Sequence, residues 1–242
     1  MILAAGLGTR LGALGGTTPK ALIEVGGRTL LERVVRRLAT AGATRVVVNV
    51  HHHAGQIARF VAGHDLGVEV RLSREDEQPL ETGGGLWHAR ALFAADETIL
   101  VHNVDVLAGF RLEALLAAQE GGASLATLVV QERDTARRLL FDEVGLCGRE
   151  DRRTGERREV RPPHGPVRAL AFGGIHAASP RLFEWITERG VFRIVDVYLR
   201  LAAAGHVIAP WVPDGGRWLE CGNPERLAAA RALLERDPHA LD

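Results

Sequence analysis

Several features that define other protein classes are scarce in this chain of 242 residues. It has two cysteines, Cys147 and Cys221, whose separation fits neither a zinc site nor a redox pair. Thirty basic and thirty acidic residues leave no net charge to draw the chain to nucleic acid or an anionic membrane. No apolar run approaches a membrane span, and the chain opens on a strand without the basic region of a signal peptide. We therefore expect a cytoplasmic protein with reduced thiols and with neither nucleic-acid nor membrane partners.

Two common phosphate-binding motifs are also missing from the glycine-rich start, residues 2–11. The dinucleotide motif needs glycine or alanine three residues after Gly8, where this chain has Leu11. The P-loop needs glycine before its lysine and serine or threonine after it, whereas Lys20 lies between proline and alanine. What is present is a short apolar run, a loop of small residues and two cations, Arg10 and Lys20. This combination suits a polyphosphate, and the alternative is a plain turn with solvated charges.

The apolar pattern along the rest of the chain predicts alternating strands and helices. A helix over 29–41 has one apolar face, and a β-branched run over 45–50 follows it. Strand, helix and strand in this order predict a right-handed βαβ unit. We expect one α/β domain over residues 1–242, with a mostly parallel central sheet and helices on both faces. The apolar face of the first helix is predicted to comprise Leu30, Leu31, Val34, Val35 and Leu38.

The polar, arginine-rich stretch from about 133 to 168 interrupts this pattern. Short β signals around 138–147 and 157–161, with a hairpin turn at Thr154-Gly155-Glu156, predict a small peripheral β excursion rather than a linker. A further helix is predicted over 182–189, and another opens at Ile194.

The N-terminal residues resemble a known signature. Leu3 to Leu11 followed by Pro19-Lys20 is similar to L-A-A-G-x-G-T-R-L and P-K of the sugar-1-phosphate nucleotidylyltransferases, and the resemblance extends to about residue 231. It implies a Rossmann-like (GT-A-like) nucleotidyltransferase fold. In that family the loop amides and the arginine hold a nucleoside triphosphate, and the lysine contacts its phosphates. The nucleotide-binding residues implied here are Ala5, Gly6, Gly8, Thr9, Arg10 and Lys20, of which Arg10 and Lys20 are also implied to be catalytic.

A second glycine-rich stretch, residues 78–88, resembles the base-binding loop of the same family. Its glycines would let backbone lie against a flat ring, although a plain flexible turn is the alternative. The usual form is P-L-G-T-A-G, and here Glu81 and Gly84 replace glycine and alanine. The L-E-T-G-G-G form resembles the N-acetylmuramate α-1-phosphate uridylyltransferases, which favours uracil. The nucleotide-binding residues implied in this stretch are Gln78, Thr82 and Gly83.

Two acidic residues are candidate magnesium ligands. Asp105 follows a buried-type strand over 98–101, and the carboxyl ends of parallel strands are where open α/β sheets bind ligands. On the residues alone it is either a metal ligand or a turn residue. The family has G-D here, with the aspartate on Mg²⁺, and W-x-D-x-G-T near its end, where Glu220 replaces the second aspartate. The resemblance thus implies Mg²⁺ as cofactor with Asp105 and Glu220 as ligands, Asp105 as catalytic, and Asn103 as nucleotide-binding.

The sugar side is less well marked. Leu170 to Ala177 matches the family's sugar-side strand and assigns Gly174 to the sugar. Asp196 is a candidate for sugar hydroxyls, although a place in the first turn of a helix also explains it. Many family members carry an E-K-P segment whose lysine meets the sugar phosphate. This chain has none, which leaves Arg161 and Arg168 as candidates for that contact.

The predicted reaction is nucleotidyl transfer from a nucleoside triphosphate, with UTP favoured, to a sugar 1-phosphate such as N-acetylmuramate 1-phosphate, with release of pyrophosphate. A phosphate monoester is already a nucleophile, so positioning and charge neutralisation carry the catalysis. One alternative is a guanylyltransferase for mannose or heptose 1-phosphate. The other is a catalytically weak nucleotide-binding regulatory domain, because Val104 and Glu220 depart from the family pattern.

Overall fold

The computed structural model describes residues 1–12 and 16–241. The strands are β1 (Ile2–Leu3), β2 (Glu24–Val25), β3 (Arg28–Thr29), β4 (Arg45–Val50), β5 (Glu69–Arg74), β6 (Ile99–Asn103), β7 (Val106–Ala108), β8 (Ala126–Gln131), β9 (Arg137–Phe141), β10 (Leu146–Asp151), β11 (Glu156–Glu159), β12 (Arg168–Ala178), β13 (Ile208–Trp211) and β14 (Trp218–Glu220). The α-helices are α1 (Leu30–Thr40), α2 (Ala54–Gly63), α3 (Glu81–His88), α4 (Leu112–Glu120), α5 (Leu182–Trp185), α6 (Ile194–Ala203) and α7 (Pro224–Arg236). Single 3₁₀ turns cover Thr9–Leu11, Lys20–Leu22 and Ala89–Leu92.

Ten of these strands form one mixed sheet. Strands β5, β4, β1 and β6 lie in that order and run parallel. Strand β12 extends the sheet antiparallel to β6, and it also pairs with β8, whose other neighbour β13 is parallel to it. The predicted α/β fold with a mostly parallel central sheet is confirmed.

Both faces of the central strands are covered. Along β4, Val46 and Val48 belong to one hydrophobic cluster and Val47 belongs to the other, because successive side chains of a strand point to opposite faces. Helices α1, α4 and α7 contribute to the first cluster, and α3 and α6 contribute to the second. Helix α1 buries all five residues of its predicted apolar face, and Thr29 caps it by accepting a hydrogen bond from the Glu32 amide.

The arginine-rich stretch forms the predicted peripheral β excursion. Strands β9, β10 and β11 pair antiparallel, and β9 joins them to the first part of β12. The turn between β10 and β11 contains Gly155 with a φ of 73°, a left-handed conformation that glycine adopts without strain. This excursion forms one wall of a cleft described below.

The helix predicted over 182–189 is wrong in its second half. Helix α5 ends at Trp185, and Ile186 is extended with a φ of −79° and a ψ of 105°. Arg200 of α6 donates to the Trp185 carbonyl at 2.8 Å and pairs with Glu188, and the Ile186 side chain is buried. Tertiary contacts therefore take the chain out of the helix where the apolar periodicity would continue it.

The register of the parallel strands fixes where the site can form. Leu3 at the end of β1 is aligned with Asn49 of β4 and with Asn103 of β6. The loops after these three strands consequently leave the sheet side by side at its carboxyl edge. In the part of the chain that the structure describes, no helix has the length and apolarity needed to cross a membrane.

Candidate active site

The loop after β1 forms the floor of a cleft of about 430 Å³. Gly8 has a φ of 65°, which lets the chain turn sharply into the Thr9–Leu11 turn, and the buried Leu11 side chain anchors that turn. Gly6 and Thr9 are exposed to the cleft, and the Arg10 side chain is 69% exposed. The predicted nucleotide-binding residues that line this cleft are Ala5, Gly6, Gly8, Thr9, Arg10, Lys20, Thr82 and Asn103, together with Asp105.

Lys20 and Asp105 form an ion pair at the base of the same cleft. Pro19, with a φ of −58°, leads into the short turn that carries Lys20, and Asp105 lies between β6 and β7. The lysine Nζ donates to Asp105 Oδ2, and the two side chains are only 12% and 16% exposed. A cation and a carboxylate are thus held in the same cleft as the loop after β1. This arrangement can orient a phosphorylated ligand and neutralise its charge.

The second predicted metal ligand lies beside the first. Strand β14 pairs with β7 so that Glu220 faces Val106, and the Cys221 amide donates to the Asp105 carbonyl at 2.7 Å. The Glu220 side chain contacts Arg226, and one of its oxygens lies 3.6 Å from Arg10 Nη2.

The donor chemistry of this acidic pair fits magnesium. Mg²⁺ prefers hard oxygen ligands, and proteins commonly bind it through one or two carboxylates, with substrate phosphates and water completing the shell. Among the described residues no group of three or more His, Cys, Asp or Glu side chains could enclose a metal. Asp105 and Glu220 therefore suit a metal that arrives with phosphate ligands better than a metal held by protein alone.

The thiol of Cys221 adjoins these carboxylates but is not suited to nucleophilic catalysis. Burial, reinforced by the charge of Asp105, raises its pKa to about 12. Both cysteines are buried and free. A thiol that stays protonated is a weak nucleophile, so Cys221 contributes packing rather than chemistry.

The second glycine-rich stretch is a helix, and its glycines serve packing. The Gly83 amide donates to the Phe192 carbonyl at 2.9 Å, and a Cβ at Gly83 would lie 2.6 Å from the Phe192 ring. Gly84 packs against the backbone of Gly190, and Gly85 packs against Asn49 and Glu75. Gly83 is buried and is not among the described residues that line the cleft, so its role in nucleotide binding stays a prediction.

The other two residues assigned to this stretch differ in placement. Thr82 lines the cleft, and its hydroxyl accepts a hydrogen bond from the Ile194 amide at 3.0 Å. Gln78 is exposed and precedes Pro79, which does line the cleft. The role of Gln78 in nucleotide binding stays a prediction.

A buried series of hydrogen bonds joins the two glycine-rich stretches, and the sequence did not reveal it. Asn49 Oδ1 accepts from the Ala4 amide at 2.7 Å, and Asn49 Nδ2 donates to Glu75 Oε1 at 2.7 Å. Glu75 Oε2 accepts from the Leu80 amide at 2.8 Å, just before α3. Asn49 and Glu75 are 2% and 3% exposed. Buried and fully paired polar groups hold the segments that they join in one arrangement. These hydrogen bonds therefore set the distance between the loop after β1 and the start of α3.

A second cleft, of about 560 Å³, adjoins the first. The two share Leu3, Glu81, Thr82 and Asn103 in their linings. The β excursion supplies most of the other wall, and Asp196 of α6 lines it as predicted for the sugar side. Asp196 accepts hydrogen bonds from Arg193 at 2.9 and 3.2 Å. We call the first cavity the loop cleft and the second the arginine cleft.

Gly174 lies at the junction of the two clefts, whereas Arg161 and Arg168, the candidates for the sugar-phosphate contact, lie away from the arginine cleft. Gly174 has a φ of 74°, and a Cβ there would lie 2.7 Å from Asn103 Nδ2, so glycine lets Asn103 sit at the junction of the clefts. Arg161 is paired through two 2.7 Å hydrogen bonds with Asp142, whose pKa this arginine holds well below its usual range. Arg168 is exposed and pairs with Glu132. Neither arginine is among the described residues lining the arginine cleft, so both candidates for the sugar-phosphate contact are corrected.

Glu81 stands at the junction in an unusual conformation. It has a φ of 63°, in the left-handed region where residues other than glycine are strained by about 1 kcal/mol or more. This explains locally why glycine suits this position in the P-L-G-T-A-G form.

The two clefts, the cationic loop and the adjacent carboxylates define a nucleotidyltransferase of the α/β class. The chain belongs to the MobA-like NTP transferase domain family, whose model matches residues 1–235. It is 32% identical over 244 residues to the N-acetylmuramate alpha-1-phosphate uridylyltransferase of Caulobacter vibrioides, covering 97% of this chain and 96% of that one. It is 31% identical over 234 residues to the enzyme of the same name from Neisseria meningitidis, covering 96% of each.

A solved structure supports the same fold. The UDP-glucose pyrophosphorylase from Acinetobacter baumannii superposes with a TM-score of 0.78 at 17% identity, covering 99% of this chain and 94% of that one. The resemblance to sugar-1-phosphate nucleotidylyltransferases is confirmed, and so is the prediction that the chain is an enzyme of this class.

Proposed function

We propose that residues 1–242 act as one unit that transfers UMP from UTP to a sugar 1-phosphate, with N-acetylmuramate 1-phosphate as the favoured acceptor. The observation that carries this proposal is the junction of two clefts at Thr82, Glu81 and Asn103, one with a phosphate-type loop and the other wide enough for a sugar. The choice of uracil and N-acetylmuramate is supported by the names of two relatives that are more than 30% identical over nearly the whole chain. The cytoplasmic location expected from the sequence stays a prediction.

In this reaction an oxygen of the sugar phosphate attacks the α-phosphorus of the nucleotide. A new P–O bond forms on one side, and the bond to the bridging oxygen of the β-phosphate breaks on the other, so that pyrophosphate leaves with the electron pair. The amides of Gly6, Gly8 and Thr9 and the Arg10 guanidinium neutralise the leaving pyrophosphate. Lys20, held by Asp105, steadies the phosphates at the reacting centre.

The proposed cofactor is Mg²⁺, with Asp105 and Glu220 as its protein ligands. When bound, it would neutralise charge on the phosphate oxygens during transfer. Asp105 would then share its charge between the metal and Lys20, and Glu220 would share its charge between the metal, Arg10 and Arg226. Lys20 and Arg10 are positioned to take up phosphate charge, because both line the loop cleft.

On the sugar side, Asp196 accepts hydrogen bonds from sugar hydroxyls. Its two arginine neighbours, Arg193 and Arg149, hold the carboxylate in place without burying it, since the side chain remains 45% exposed. Gly174 keeps Asn103 at the junction, where the amide can reach either substrate.

A mannose- or heptose-1-phosphate guanylyltransferase is the second candidate. The chain is 28% identical to a mannose-1-phosphate guanylyltransferase catalytic subunit beta of Drosophila pseudoobscura pseudoobscura, of which it covers 61%. Base choice depends on a few contacts in the loop cleft, so this alternative shares the fold and the proposed chemistry.

The test is pyrophosphate release from UTP, GTP, CTP, ATP and dTTP, each with Mg²⁺ and a panel of sugar 1-phosphates. We expect release with UTP and N-acetylmuramate 1-phosphate. Release only with GTP and mannose or heptose 1-phosphate would establish the guanylyltransferase instead. Nucleotide binding without release from any pair would reject the proposal in favour of a regulatory nucleotide-binding domain.

A further inference from the structure

Arg133 differs from the other arginines of the arginine cleft. Its guanidinium carbon lies 3.8 Å from the centre of the Trp218 ring. Its Nε is buried without a hydrogen-bond partner, and no described residue forms an ion pair with it. The other arginines lining this cleft are each paired with a carboxylate: Arg137 and Arg153 with Asp151, Arg138 with Glu150, Arg149 with Glu156 and Asp196, and Arg193 with Asp196.

The stack places this cation beside the proposed reacting centre. Trp218 begins β14, two residues before Glu220, and its indole N–H donates to the Gly173 carbonyl at 2.9 Å. The ring is therefore fixed between the strand that carries Glu220 and the strand that carries Gly174. Burial lowers the pKa of Arg133, and the negative charge of Glu220 opposes that shift. Glu220 is thus near enough to act on the guanidinium electrostatically, although the two side chains do not form an ion pair.

A partly desolvated guanidinium without a counter-ion is costly to maintain unless a ligand supplies the charge. Stacking on an aromatic face leaves the N–H groups at the edge of the guanidinium available, and that edge matches two oxygens of a phosphate or a carboxylate. A lysine ammonium group could not stack flat on the indole ring, and it has no planar pair of N–H donors to match two oxygens.

We propose that Arg133, seated on Trp218, binds an oxyanion of the acceptor sugar. This site rests on the proposed sugar-1-phosphate transfer. Two parts of the acceptor could supply the oxyanion, the 1-phosphate or a carboxylate on the sugar, and N-acetylmuramate 1-phosphate carries both.

Arg133→Met tests the proposal, because methionine keeps an unbranched apolar stem against Trp218 and removes the charge. We expect the KM for the acceptor to rise about 10- to 100-fold, as for loss of a hydrogen bond to a charged group, with the KM for UTP changed less than about threefold. Arg133→Lys should show a smaller rise. The matched control is Arg168→Met, which removes an exposed arginine paired with Glu132 and should leave both KM values unchanged. Thermal unfolding of each variant verifies folding.

Acceptors with and without a sugar carboxylate show whether Arg133 binds the 1-phosphate or the carboxylate. If the 1-phosphate is bound, the KM of both kinds of acceptor rises in Arg133→Met. If the carboxylate is bound, only the KM of the carboxylate-bearing acceptor rises. The proposal is overturned if the acceptor KM stays within about twofold of wild type, or if the UTP KM rises as much as the acceptor KM.

A binding measurement distinguishes failure of the proposed reaction from failure of the proposed oxyanion site. If wild type releases no pyrophosphate with any pair, calorimetric titration with the same sugar 1-phosphates still measures the site. Binding to wild type that is weakened at least about tenfold in Arg133→Met would support the oxyanion site alone. Equal binding by both proteins, or no binding to wild type, would overturn it.

Discussion

The loop cleft and the arginine cleft are built by opposite means. The loop cleft is held by buried groups, with the Asn49–Glu75 chain behind it and the tightly packed glycines of α3 beside it. The polar lining of the arginine cleft consists mainly of arginines paired with carboxylates, and arginines such as Arg137 and Arg153 are 75% and 70% exposed. Exposed ion pairs contribute little each, whereas buried polar chains fix geometry. We therefore expect the proposed nucleotide site to be rigid and the proposed sugar site to have an adaptable wall.

The largest effect is expected from removing the central cation of the loop cleft. Lys20→Ala should lower the turnover number for pyrophosphate release by about 10²- to 10³-fold, because a preorganised charge at the reacting phosphates is lost. The matched control is Arg28→Ala, which removes an exposed cation that pairs with Glu32 outside both clefts and should leave turnover unchanged. Unaltered turnover in Lys20→Ala would remove the loop cleft from the mechanism.

Substitutions behind the loop cleft should lower the free energy of unfolding more than substitutions in the arginine cleft. Asn49→Ala leaves the Ala4 amide and a Glu75 oxygen without their partner in a buried place, and we expect a loss of about 2–4 kcal/mol in the free energy of unfolding. Arg137→Ala removes an arginine that is 75% exposed and lies 3.7 Å from Asp151, and the expected loss is within about 1 kcal/mol. Chemical denaturation of both variants measures the difference. Equal losses would abolish the contrast between the clefts.

The packing role of the α3 glycines gives a finer test. A Cβ at Gly84 would collide with the Gly190 carbonyl oxygen, so Gly84→Ala should destabilise the protein by about 1–3 kcal/mol. Gly55 lies in α2, where a Cβ would meet nothing within 4 Å, and Gly55→Ala should stabilise the protein by about 0.5–1 kcal/mol. Chemical denaturation of both variants measures these changes. A neutral Gly84→Ala would contradict the packing role of this glycine.

The smallest expected effect concerns pH. Burial lowers the pKa of His102 on β6 and of His176 on β12 to about 3. Between about pH 6 and 5 the unfolded chain binds a proton at each histidine and the folded chain does not, so stability falls as the pH falls. Each group contributes about 1.4 kcal/mol per pH unit.

His176→Phe isolates one of these two contributions. His176 packs edge-on against Tyr198, and both of its ring nitrogens lack hydrogen-bond partners among the described residues, so phenylalanine should fit. Denaturation measured at pH 6 and pH 5 should show a pH dependence reduced by about 1.4 kcal/mol per unit. A pH dependence equal to that of wild type would mean that His176 titrates normally behind the arginine cleft.

The sequence predicted the loop cleft better than the arginine cleft for a physical reason. The loop after β1 is local, so the spacing of Gly6, Gly8 and Arg10 already describes its shape. The neighbouring positions of Asp105 and Glu220 followed from the resemblance, and the pairing of β7 with β14 places them together.

Contacts between distant residues were not predictable. The register of β4 brings Asn49 to Ala4, and the path of the β excursion brings Arg133 onto Trp218, which lies far along the chain. The packing of Gly83 against Phe192 was not predictable either, because a glycine needed for packing has the same local pattern as one needed for a ligand.

The most direct test of the division between the clefts is amide hydrogen exchange of the wild-type protein with each substrate in turn. A nonhydrolysable UTP analogue with Mg²⁺ should slow exchange in residues 4–10 and 103–105 and leave residues 133–153 unchanged. Addition of the sugar 1-phosphate should then slow exchange in 133–139 and 172–176. Protection of residues 133–153 by the nucleotide alone, with no further change on adding the sugar phosphate, would contradict the account.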